Sequence, residues 1–92
     1  MKGRTLGKVS QRLGIPPEVL LNVPRIEVIG QLQLRLENHL GIEHYDSERV
    51  LIRVTGGYLK ILGHQLVVGW IDHNELVLTG RVRQVTLQEG KL

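Results

Sequence analysis

From Arg25 onward, apolar side chains fall on nearly every second position. The stretch "IEVIGQLQLRLENHLGI" (26–42) shows the pattern, with Ile26 and Val28, then Leu32, Leu34 and Leu36. Period two is the signature of a strand with one face turned to a core. It predicts strands over 25–29, 31–37, 40–45, 49–55, 58–62, 65–71, 75–79 and 81–87. Gly56-Gly57 supplies the positive φ that a tight hairpin needs. "YDSER" and "IDHNE" read as polar turns, because Asp and Asn bond their own backbone.

One motif recurs: apolar, any, apolar, any, Gly. It appears as "IEVIG" (26–30), "LKILG" (59–63) and "LVLTG" (76–80), and alternation resumes after each glycine. A glycine inside a strand pattern marks a bulge or a bend. Gly30, Gly63 and Gly80 are therefore expected to bend long β segments onto a second face. Ahead of the strands, Leu6, Val9 and Leu13 make a weak amphipathic pattern, diluted by Gly3, Gly7 and Gly14. Pro17, Glu18 and Pro24 bound a short helical turn over 17–22, with Pro17 suited to its first position. The fold expected is all-β: an antiparallel sandwich or partly open barrel with a short N-terminal helical cap. A short β-solenoid is the alternative, since corner glycines also suit stacked rungs.

Composition changes this picture little. The 92 residues contain no Phe, one Trp and two Tyr, so Leu, Val and Ile must fill the core. That length supports one modest core. The division expected is a basic tail or weak helix over 1–13 and one β domain over 14–90. The absence of cysteine excludes disulfides, thiolate metal sites and cysteine nucleophiles. No apolar run is long enough to span a bilayer as a helix, and the basic N-terminus has no apolar h-region behind it. A soluble protein, or one lying on a membrane surface, is expected.

Charge is unevenly placed. Lys2, Arg4, Lys8 and Arg12 carry the N-terminal twelve residues without an acid, while the rest is near neutral. Such a tail is either a solvated terminus or a contact for anionic lipid, nucleic acid or an acidic partner.

Candidate chemistry is sparse. His39, His44, His64 and His73 offer no local set of three convergent ligands, so no metal is expected. Asp72-His73-Asn74-Glu75 reads as a turn before it reads as acid–base machinery, because no nucleophile stands near it; Ser10 and Ser47 lie in the tail and in a turn. "VTGGYL" lacks the Lys-Ser/Thr pair of a phosphate loop. No enzyme activity and no cofactor are expected. Arg49 with Arg53, and Arg81 with Arg83, would each share a strand face, as in a small RNA-binding β-barrel. Against that reading, few aromatics are available to stack bases. Arg81–Leu87, the last strand, is a candidate edge for addition to a partner sheet, and a homo-oligomer is a further expectation.

At "LGIPPEVLLNVPRIEVIGQLQLRLENHLGI" the chain resembles the YabP/YqfC family of sporulation proteins, most closely its YqfC branch. The carriers are "PEVLL", "LNVPR", "IGQL" and above all Glu37-Asn38-His39 followed by Leu40-Gly41. Downstream, "GYLKILGHQLVVGWIDHNELVLTGRV" is similar to the family's second half, and the match covers about residues 13–87. The resemblance implies a non-enzymatic protein of endospore formation, acting in the mother-cell cytoplasm, at the forespore membrane surface or in the coat, through contacts with other sporulation proteins. It also implies a YqfD-type membrane protein as a partner. The cluster Glu37, Asn38, His39 and Gly41 is either a specified turn, since Asn and Gly accept positive φ, or a partner-binding surface.

Overall fold

A computed structural model describes Gly14 and residues 22–90. Six strands follow in order: β1 (Arg25–Ile29), β2 (Gln33–Glu37), β3 (His39–Tyr45), β4 (Arg49–Val54), β5 (Gly57–Ile71) and β6 (Glu75–Glu89). All pairings are antiparallel in one sheet of order β1-β2-β6-β5-β4-β3. β1 and β3 are its edges, so the sheet is open. The helical cap expected over 17–22 lies outside the described residues except for Asn22, as does the tail with Lys2, Arg4, Lys8 and Arg12. The solenoid alternative does not hold, because the strands pair through antiparallel hairpins and not as stacked parallel rungs.

Eight expected strands become six because β5 and β6 run on through their glycines. Their ladder shifts register between Leu62 and Gly63 and again between His64 and Val67. On one side of this bend, β4 and residues 57–62 of β5 pair with one another, and β5 pairs with the far end of β6. On the other side, β2 pairs with 75–79 of β6, which pairs with 67–71 of β5. The sheet thus has two halves. One contributes Leu34, Leu36, Leu76 and Leu78 to the interior; the other contributes Val50, Ile52, Val54, Leu59 and Ile61. Leu66 and Val82 join them from the bend, and all belong to one buried cluster. The inner faces of the two halves pack on each other as a partly open barrel. No aromatic is needed, since each fully buried Leu or Ile contributes roughly 1.5–3 kcal/mol.

A register shift deprives backbone groups of ladder partners, and buried N–H groups must find others. Here the neighbouring turns supply them. Gly63 N–H donates to Glu48 O (3.0 Å) and Leu66 N–H to Ser47 O (2.8 Å). Gly80 N–H donates to Leu32 O (3.2 Å) and Val82 N–H to Gln31 O (2.7 Å). Gly30 corrects the motif reading: it does not bend a strand but sits at φ +56° in the turn joining β1 to β2. The physical difference lies in what stands across the chain. A Cβ on Gly63 would overlap the Arg81 carbonyl oxygen, and one on Gly80 would overlap that of Gln65, whereas a Cβ on Gly30 meets nothing within 4 Å.

Candidate functional site

β2 ends at Glu37 and β3 begins at His39, so the chain passes from one half-sheet to the other in a single residue. Asn38 makes that step at φ +65°, a left-handed conformation that Asn tolerates. Its backbone N–H donates to Asn74 O (2.8 Å) and its side-chain amide to Val23 O (2.9 Å). His39 is 8% exposed, the one buried polar side chain among the described residues. Its Nδ1 accepts the Gly41 N–H (3.1 Å), which leaves Nε2 to donate to Asp72 O (2.7 Å). That pattern fixes the Nε2–H tautomer and commits both ring nitrogens. Gly41 follows at φ +120°, beside a register shift in β3. These bonds of Asn38 and His39 tie two distant backbone segments, at Val23 and at Asp72–Asn74, to one corner.

Asp72 organises the partner turn. Its carboxylate accepts the N–H groups of Asn74 (2.9 Å) and Glu75 (2.6 Å). Those two bonds, the Glu75 one first, hold its carboxyl below the usual carboxylate range, helped by His73 and the Trp70 indole N–H. Asp46 repeats the design with Glu48 and Arg49 N–H, both at 2.8 Å, and adds an exposed contact to His44 Nε2 (2.8 Å). The His44 bond is the largest cause of its lowered pKa, ahead of the two backbone bonds. Both turns are closed by local Asx bonds, so their acids are occupied structurally.

The remaining sequence candidates do not converge. His64 lies on β5 opposite Arg81, and His73 is exposed in the Asp72 turn. No group of three or more His, Cys, Asp or Glu side chains able to hold a metal occurs among the described residues. Arg49 and Arg53 lie on β4, with β5 between them and Arg81 and Arg83 on β6. Arg53 is neutralised by Glu43 at 2.9 Å. Leu40, Glu43, Arg53, Val54 and Tyr58 line an open groove of about 460 Å³. The side of β6 away from β5 is held by the β1–β2 turn as far as Val82, and beyond Val82 it has no ladder partner among the described residues. No described helix is long and apolar enough to cross a membrane.

The outer face of the β1-β2-β6-β5 half is the feature that alternation alone missed. Strict period two would put Trp70 inside with Leu66 and Val68. A register shift between Val68 and Trp70 reverses the phase, and Trp70 pairs with Val77 on the outer face. Trp70 is 57% exposed and Val67 52%. Gly69, between them, was the local signal for such a bulge. Past the bend, β5 has a ladder only with β6 among the described residues, so this apolar surface adjoins a strand side with no described ladder partner. Toward β1 the same face turns charged: Glu27 stands opposite Arg35, and Arg25 opposite Glu37. Arg35 bonds Glu75 at 2.9 Å, and that bond, with Glu37 and Glu27 nearby, holds the guanidinium pKa above its ordinary value.

Comparisons with known proteins agree with the sequence resemblance. The chain is 31% identical over 89 residues to the "Uncharacterized protein YqfC" of Bacillus subtilis (strain 168), covering 97% of this chain and 96% of that one. No solved structure matches it. The model of the YabP family matches residues 22–92, which spans every strand of the sheet. The chain belongs to the YabP family.

Proposed function

We propose that this protein is a non-enzymatic assembly component of endospore formation, working through contacts with other proteins of the spore envelope or coat. Membership of a sporulation-associated family supports the process. The observation that carries the mode of action is the exposed pair Trp70 and Val67 beside the side of β5 that has no ladder partner among the described residues. A tryptophan more than half exposed on a sheet rim is the kind of side chain that dominates protein interfaces. The titratable groups point the same way, since Asp46, Asp72 and His39 are spent on holding turns.

The partner we favour is a YqfD-type membrane protein, met from the mother-cell cytoplasm at the forespore membrane. Titrating the purified chain against the soluble part of that protein tests the reading. Trp70→Ala is expected to weaken binding by roughly 30-fold or more, with only a small drop in melting temperature from the lost exposed bond to Asp72. Unchanged affinity in the variant would remove this surface from the interface.

A further inference from the structure

The geometry points to a second interaction surface: β1 pairs with β1 of a second copy of this chain, joining two sheets across a two-fold axis at Ile26. This concerns self-association alone and stands whether or not the partner proposed above is the right one.

Among the described residues β1 is the last strand of the sheet and has a ladder only with β2. An edge strand offers unpaired backbone groups to any strand that fits. Natural edges are often blunted by like charges or proline; here Pro24 bounds the strand, and β1 itself carries neither. Arg25 and Glu27 are both exposed, point to the outer face, and have opposite signs two residues apart. Antiparallel pairing places residues of one face directly opposite each other, so the two-fold must pass through a residue. Centred on Arg25 or on Glu27, it would set like charges against each other. Centred on Ile26, it sets Arg25 against Glu27 of the second copy, twice.

That register also continues a pattern already present. Within one chain the outer face reads Glu27–Arg35 in one row and Arg25–Glu37 in the next. The second copy extends these rows to Arg25–Glu27–Arg35 and Glu27–Arg25–Glu37, with signs alternating across the joint. On the inner face, Ile26, which packs against the core, meets Ile26 of the second copy. Val28, 46% exposed although it shares the inner-face row with Leu34, is brought opposite Pro24 and covered.

Sedimentation of the full chain with native mass spectrometry tests this. The wild type is expected to be a dimer at high micromolar concentration, with dissociation favoured by salt. Arg25→Glu and Glu27→Arg each oppose like charges and are expected to be monomers that stay folded, because both positions are exposed. Mixed in equal amounts, the two variants complement each other at both contacts and are expected to form a heterodimer of one chain of each mass. A monomeric wild type overturns the inference, as does either single variant remaining dimeric. So does a mixture that stays monomeric. Should a variant fail to fold, concentration-dependent protection of the β1 amides in wild-type hydrogen exchange decides: protection supports the pairing, and none overturns it.

Discussion

The chain crosses between its two half-sheets at two kinds of place, and they are built on the same dihedrals by different means. At the β5–β6 bend the left-handed residues are Gln65 (φ +52°) and Gly80 (φ +121°). At the step from β2 to β3 they are Asn38 (φ +65°) and Gly41 (φ +120°). Each crossing therefore uses one non-glycine and one glycine at nearly matching φ. What differs is how each is held. At the bend, backbone packs on backbone so closely that a Cβ at Gly63 or Gly80 would overlap a carbonyl oxygen. At the step, a Cβ on Gly41 meets nothing within 4 Å, and the hold comes from Asn38 and His39 side chains reaching Val23 and Asp72. Where two paired strands turn together, close backbone packing adds to the hydrogen bonds that hold the corner; where one strand turns alone, hydrogen bonds carry it.

The sharpest way to break this distinction is at the two glycines near φ +120°. Gly80→Ala faces both an unfavourable dihedral and an overlap with the Gln65 carbonyl, so its expected cost is about 3 kcal/mol or more. Gly41→Ala faces the dihedral alone, an expected cost of about 1–2 kcal/mol. Urea unfolding of both variants measures the gap. Equal losses would mean that backbone proximity at the bend is not what distinguishes the two crossings.

Next in size is the hydrogen-bonded step itself. His39→Ala strands the Gly41 N–H and the Asp72 carbonyl and opens a void, with an expected cost of about 2–3 kcal/mol. By the scaling for small domains this lowers the melting temperature by roughly 10 °C. His44→Ala, whose partner is the exposed Asp46 carboxylate, is expected to change stability by under about 0.5 kcal/mol. Comparable destabilisation by the two would show that the His39 bonds carry no special weight.

Much of this architecture could be read from the chain, and the gaps have physical causes. Alternation located the strands, and the Asp-led turns closed as expected because Asx bonds span only two or three residues. Gly63 and Gly80 stood out as bends, but Gly30 shared their motif and not their role. The deciding feature, a carbonyl across the bend, belongs to another strand and leaves no local trace. The same holds for His39: its family motif was visible, but its partner lies 33 residues away at Asp72. The exposure of Trp70 has the opposite kind of cause. The bulge beside Gly69 is local, and period two alone does not register it.

The finest difference lies in the two non-glycine residues, which carry the same strain under opposite support. Asn38 is repaid for its left-handed φ by the amide bond to Val23 O. Gln65 is exposed and has a side chain less suited to that region than Asn. Replacing each by glycine removes strain but adds unfolded-state freedom, a near-cancelling pair of effects of about 1 kcal/mol each. The side-chain bond then decides the sign. Asn38→Gly is expected to lose roughly 1 kcal/mol, the net worth of one hydrogen bond. Gln65→Gly is expected to be neutral or to gain up to about 0.5 kcal/mol. Paired thermal melts resolve effects of this size, and a loss at Gln65 matching that at Asn38 would show that the bend, too, relies on a side chain for its hold.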